Sequence, residues 1–103
     1  MIIKNKRRYF AKLESEFGRL SFADAIKAYR ISEDLSQSEF AKKLNLSVQN
    51  LNDLEKGRKI PSPSRVSKIA KKIKLPEMPL IQLALRDALS KEGFKYDVKL
   101  EAA

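Results

Sequence analysis

Four serines, each followed by apolar residues at helical spacing, divide the middle of the chain into short helices. Ser21–Asp24 and Ser36–Glu39 are capping boxes, in which a hydroxyl and a carboxylate three residues later can each accept a backbone N–H at a helix start. Ser47 and Ser62–Pro63 are further helix starts, because serine is a preferred N-cap and proline is tolerated at the first helical position. Because these starts lie close together, the pattern favours an all-α fold of short helices around one core.

A fifth helix is predicted from about Pro79 to Lys91. Its apolar residues extend around more of the helix than one small core needs, and a second copy of the chain would cover the surplus. We therefore predict a homodimer through this helix, with Leu80, Leu83 and Leu85 at the interface.

After Gly93 the pattern changes to an alternation of apolar and charged residues, which is typical of a β-strand. The apolar members are Phe94, Tyr96, Val98 and Leu100. An all-helical domain has no sheet for a single strand, so its backbone groups need a partner outside the domain. We predict that residues 94–103 form a short strand that pairs with the twin subunit and adds these four side chains to the dimer interface. A protein partner or a frayed tail is the alternative.

The positive charge is concentrated in two segments. The chain has a net charge of +9, and residues 1–12 carry five basic side chains and no acid. Residues 40–74 carry ten basic side chains against Asp53 and Glu55. This distribution favours a polyanion as partner. Residues 1–18 are interpreted as a basic N-terminal arm or a short helix that precedes a domain over residues 19–93.

Several function classes are disfavoured by what the sequence lacks. It has no histidine and no cysteine, so general acid–base catalysis by imidazole, disulfides and thiolate metal sites are excluded. We expect no enzyme activity, no cofactor and no metal site. The apolar runs near Ile2 and from Leu80 to Leu89 are too short or too interrupted for a signal peptide or a membrane span, so a cytoplasmic protein is expected.

The second and third predicted helices are joined by Leu44–Leu46. Two short helices with a turn of three or four residues are typical of a helix-turn-helix. The turn needs a residue that tolerates a left-handed backbone, and Asn45 is the best choice after glycine.

Residues 35–57 resemble the helix-turn-helix of the phage-repressor (Cro/cI-like, XRE) family. The matching residues are Leu35, Gln37, Ala41, Ser47, Leu51, Leu54, Glu55 and Gly57. The similarity extends less sharply over residues 21–75, and Asn45 stands where glycine is usual. The resemblance implies a five-helix repressor-like domain that binds double-stranded DNA and regulates transcription.

The resemblance also implies roles for single residues. Val48, Gln49 and Asp53 match the positions that read bases, and Gln37 matches one that holds a backbone phosphate. Helical geometry adds Asn52 to the base-reading face, and a salt bridge from Asp53 to Lys56 or Arg58 is an alternative to base reading. Chemically, Gln49 suits adenine, Asn52 is another candidate for adenine, and Val48 suits a thymine methyl group. The expected phosphate contacts are completed by Ser47, Lys56, Arg58 and Lys59.

Two biological roles fit this layout. The first is an autorepressor that reads a palindromic operator through the third helix. The second is an antitoxin that also neutralises a cognate toxin protein, because the basic arm, wide last helix and candidate strand together resemble HigA-like antitoxins.

Overall fold

The computed structural model describes residues 20–103, which form five helices. They are α1 (Phe22–Ser32), α2 (Gln37–Leu44), α3 (Val48–Glu55), α4 (Pro63–Ile73) and α5 (Glu77–Lys91). The predicted all-α, five-helix fold is confirmed. The arm predicted over residues 1–18 lies outside the described residues. Between residues 20 and 103, no helix combines the length and the apolar character needed to cross a bilayer.

All four predicted serine caps are formed. The Ser21 and Ser36 hydroxyls accept the N–H groups of Asp24 and Glu39 at 3.0 and 3.1 Å, and each carboxylate in turn accepts the backbone N–H of its serine. The Ser47 and Ser62 hydroxyls accept the backbone N–H three residues later, at 3.1 and 3.3 Å. Each cap satisfies a donor that would have no partner inside its helix.

Each of the five helices is followed, within two residues of its end, by a residue with a left-handed backbone. These residues are Asp34, Asn45, Gly57, Lys74 and Gly93. In every case the next residue donates its N–H to the carbonyl five positions earlier, as Leu46 does to Ala41 at 2.8 Å. The predicted left-handed conformation of Asn45 is confirmed, with φ of 58°. Only two of the five positions are glycine, so three side chains carry the steric cost of this conformation.

All five helices contribute side chains to one core. Its largest fully buried side chains are Phe22, Ile26, Phe40, Leu51, Val66, Ile73 and Leu80. Helix α3 packs against α1 and α2, and α5 packs against α4 and α1. At the far end of the chain, the Asp87 carboxylate accepts the Phe22 N–H at 2.7 Å, and Arg86 donates to the Leu20 carbonyl. Helix α5 therefore holds the start of α1.

The prediction that Leu80 and Leu83 meet a second copy is wrong. Their exposed fractions are 1% and 9%, and both belong to the core of the single chain. The wide apolar face has a different cause: α5 contacts both α4 and α1, so two neighbours cover more of its circumference than one would. Leu85 is half-buried and remains accessible.

Residues 94–103 contain neither helix nor strand. The Phe94 and Tyr96 rings stack at a centroid distance of 6.2 Å and are largely exposed. The Leu100 N–H donates to the Gln82 side-chain carbonyl of α5 at 3.1 Å, and Val98 and Leu100 are half-buried. The predicted strand is thus absent from the single chain, because no other strand among the described residues pairs with it. Its pairing with a second copy stays a prediction.

Candidate nucleic-acid interface

The N-terminal half of α3 presents side chains to solvent. Leu51 and Leu54 are buried and fix the helix on the core, as their spacing predicts. Val48 and Gln49 are exposed in the first turn, and Asn52 is half-buried on the same side. Three of the four predicted base-reading residues therefore share one accessible surface of α3.

Asp53, the fourth, lies at the centre of a polar network instead. Only 8% of it is exposed. Its carboxylate accepts the Gln49 side-chain amide at 3.1 Å and forms ion pairs with Arg58 at 3.4 Å and Lys59 at 3.6 Å. The alternative interpretation of Asp53 as an ion-pair partner thus matches the structure for Arg58, with Lys59 as the second cation in place of Lys56.

Gln37 connects the first turn of α2 to α3. Its amide nitrogen lies 3.3 Å from the Asn52 amide oxygen and 3.3 Å from the Glu55 carboxylate. Both hydrogens of the side-chain amide are therefore directed into the protein. The donor of Gln37 left for an external anion is its backbone N–H, which lies in the first helical turn and has no partner within α2.

A buried ion pair fixes the end of α3 to α1. The guanidinium of Arg30 donates to both carboxylate oxygens of Glu55, at 2.8 and 3.0 Å, and its third nitrogen donates to the Leu35 carbonyl at 3.0 Å. The Glu55 side chain is 3% exposed. Sequence reasoning gave Glu55 no role. The available signal was its position four residues after Leu51, on the inward face of α3.

A basic concavity lies beside α3. Its polar lining includes Asn50, Arg58, Lys59, Arg65 and Lys91, and the Lys91 ammonium donates to the Arg58 carbonyl at 3.2 Å. The Arg58 and Lys59 side chains are more than half exposed, and Lys56 is also exposed. The predicted phosphate-binding residues thus border the exposed face of α3. Sequence reasoning missed Arg65 and Lys91, which the fold brings here from α4 and α5.

Comparison with known proteins gives a consistent assignment. A family model described as a helix-turn-helix matches residues 26–79, just over half of the chain. This range begins within α1, contains α2, α3 and α4, and ends in the first turn of α5. No curated protein and no solved structure matches the chain.

Proposed function

The chain belongs to the phage-repressor (XRE) helix-turn-helix family of DNA-binding transcription regulators, and we propose that it is an autorepressor that reads a palindromic operator through α3. The exposed first half of α3, bordered by the cations of its following loop, is the observation that carries this proposal. An α-helix fits the major groove of B-DNA, where base edges carry a distinct pattern of donors and acceptors.

Base reading is assigned to Val48, Gln49 and Asn52. Val48 offers a methyl surface for thymine, and the two amides offer hydrogen bonds to base edges. All three lie on the accessible side of α3, which supports this assignment. The burial and ion pairs of Asp53 favour a role behind this surface rather than against a base.

Phosphate binding is assigned to cations and donors at the edges of α3. They are the Ser47 hydroxyl, the Gln37 backbone N–H, and the side chains of Lys56, Arg58 and Lys59. Their exposure and the basic concavity beside them support this role. Such contacts fix position and add affinity without reading sequence.

The proposal is tested by comparing two variants on an operator selected from random duplex DNA. Gln49→Ala should cost about 1–3 kcal/mol on that operator and relax the preference at one or two base pairs. Arg58→Ala should weaken binding to all DNA sequences alike and reduce the slope of log affinity against log salt concentration by about one unit. Lys27→Ala, an exposed cation on α1, is the matched control. Unchanged binding of Gln49→Ala to the selected operator would overturn the proposal.

The palindromic operator requires a homodimer. With Leu80 and Leu83 in the core, the apolar surface left for a second copy includes Met78, Leu85 and the tail with Phe94 and Tyr96, besides Ile31 of α1. Two-fold symmetry would place the recognition helices about 34 Å apart, on half-sites about ten base pairs apart. Sedimentation velocity at micromolar concentration should give a dimer, and a monomer that binds one half-site without cooperativity would contradict this arrangement.

A second candidate function is neutralisation of a protein toxin. The exposed aromatic rings of Phe94 and Tyr96 support it, because they form an apolar surface that a toxin could bury in place of a second copy. Co-expression with the product of the neighbouring open reading frame tests it. A stable complex that Tyr96→Ala weakens would support this function, and separate elution of the two proteins would exclude that product as the partner.

A further inference from the structure

We infer that α3 presents its two base-reading amides in fixed and opposite orientations, with an acceptor outward at Gln49 and donors outward at Asn52. In this arrangement Asp53 is the positioning residue for Gln49, and the Gln37–Glu55 pair positions Asn52. The inference rests on the proposed function, in which α3 reads base edges, and it adds which edges are read.

The orientation at Gln49 follows from the chemistry of its partner. A carboxylate accepts hydrogen bonds and has no hydrogen to donate, so the side chain of Gln49 must turn its nitrogen toward Asp53. The observed distance of 3.1 Å joins Nε2 of Gln49 to Oδ1 of Asp53. The amide oxygen then lies on the opposite side, beside the one amide hydrogen that is still unused.

The orientation at Asn52 follows from a longer chain of bonds. The Glu55 carboxylate can only accept, so Gln37 must direct its nitrogen toward it. The same nitrogen donates its second hydrogen to Asn52, which must therefore offer its oxygen. Arg30 holds the Glu55 carboxylate through two hydrogen bonds and thereby fixes the first acceptor in this series of hydrogen bonds. The donor nitrogen of Asn52 is left on the other side of its amide.

These orientations select different bases. An outward acceptor with one adjacent N–H matches adenine, whose N6 amino group donates and whose N7 accepts in the major groove. An outward pair of donors matches guanine, whose O6 and N7 both accept. The structure therefore predicts adenine against Gln49 and guanine against Asn52 on the contacted strand.

The placement of Asp53 argues for a positioning role. A carboxylate near a DNA-binding surface repels phosphate, and one in the last turn of α3 opposes the helix dipole. Both effects are unfavourable, and the partners Arg58 and Lys59 only offset them. Control of the Gln49 amide is a gain that a neutral or apolar residue at this position would not provide.

The test measures base-pair discrimination, which a merely structural role would not change. Fluorescence anisotropy gives the affinities of the selected operator and of its single-base-pair variants for wild type, Gln49→Ala and Asp53→Asn. Asparagine has nearly the same shape as aspartate but can also donate, so it no longer forces the orientation of Gln49. Asp53→Asn should lower the discrimination at the Gln49 base pair about tenfold. It should leave the preference for guanine at Asn52 unchanged.

Two further variants make the result decisive. In the double variant Asp53→Asn with Gln49→Glu, the new amide at position 53 donates to the new carboxylate at position 49. The second oxygen of that carboxylate is then an outward acceptor, so the preference for a base with an amino group in the major groove should return. Gln37→Ala should relax the preference for guanine at the Asn52 base pair alone, and it tests the inference even if Asp53→Asn fails to fold.

The outcomes separate this inference from the proposed function. If Gln49→Ala loses discrimination while Asp53→Asn and Gln37→Ala both keep it, the positioning roles are wrong and base reading by α3 stands. If Gln49→Ala also keeps the wild-type preference, α3 does not read the operator through this face and both proposals fail.

Discussion

The ion pair between Arg30 and Glu55 should be the most sensitive polar contact of the domain. Glu55→Ala removes a carboxylate that accepts two bonds from Arg30 and one from Gln37. It leaves the Arg30 guanidinium, 15% exposed, with the Leu35 carbonyl as acceptor. Loss of one partner of a buried pair costs about 3–5 kcal/mol. Because Arg30 keeps one acceptor and some contact with water, we expect the lower end, about 3 kcal/mol.

Urea unfolding followed by far-UV circular dichroism measures this loss directly. A small domain has a free energy of unfolding of roughly 5–15 kcal/mol, so a loss of about 3 kcal/mol should move the urea midpoint by one molar or more. Lys59→Ala is the matched control, because its ion pair with Asp53 is 63% exposed on the lysine side and should be worth less than about 1 kcal/mol.

A double variant separates the cost of an unpaired charge from the value of the pair. Replacing Arg30 and Glu55 together by methionine removes both charges, and it should recover much of the stability that Glu55→Ala loses. If the free energy of unfolding of Glu55→Ala lies within about 1 kcal/mol of the wild-type value, the pair is not a major contributor to stability and the reasoning from burial is refuted.

Three further predictions concern helix ends, pH and the tail. Lys74→Gly should raise the free energy of unfolding by about 1 kcal/mol, because glycine removes the steric cost of the left-handed backbone, whereas Lys74→Ala should give no such gain in the same urea titration. Burial raises the pKa of Asp87 above its ordinary value of 3.8, against the opposing effect of the Phe22 N–H. The folded state then binds the proton more tightly than the unfolded state, so this group's contribution to stability is largest below pH 3.8 and falls as the pH rises through the folded pKa. Asp87→Asn should therefore melt at a higher temperature than wild type at neutral pH, and a difference in Tm that does not shrink on acidification would contradict this. Deletion of residues 94–103 should weaken the dimer and lower the operator affinity while the helices stay folded. Equal sedimentation and equal DNA binding of the truncated and full-length proteins would exclude a role for the tail.

The parts of the fold that sequence predicts are those set by local chemistry. A serine cap and its partner lie three residues apart, and Asn45 adopts its left-handed backbone within one turn, so neighbouring residues suffice to identify them. The burial of Leu80 and Leu83 depends on the packing of α5 against α4, which directly precedes it, and against α1, which lies far away in sequence. No periodicity within α5 reveals these neighbours.

The candidate site also has a part that local sequence predicts and a part that depends on contacts from outside α3. Helical spacing placed Val48, Gln49 and Asn52 on one surface, and it also put Asp53 there. Asp53 is buried because the loop after α3 turns back and brings Arg58 and Lys59 to its carboxylate. That return is a property of the loop, and the residues of α3 alone do not encode it.

The contact between α5 and the start of α1 also has a consequence for the order of folding. The Phe22 N–H and the Asp87 carboxylate are 65 positions apart, whereas most other contacts join neighbouring helices. Local contacts form quickly and contacts across long loops form slowly, since loop closure costs entropy first. During synthesis, α1 to α4 emerge from the ribosome before α5 does, and Phe22 and Ile73 then lack Leu80 and Leu83 of α5, which belong to the same core. We expect the nascent chain to stay loosely packed until α5 emerges, so that the helix-turn-helix reaches its final rigidity only after α5 has packed against α1 and α4.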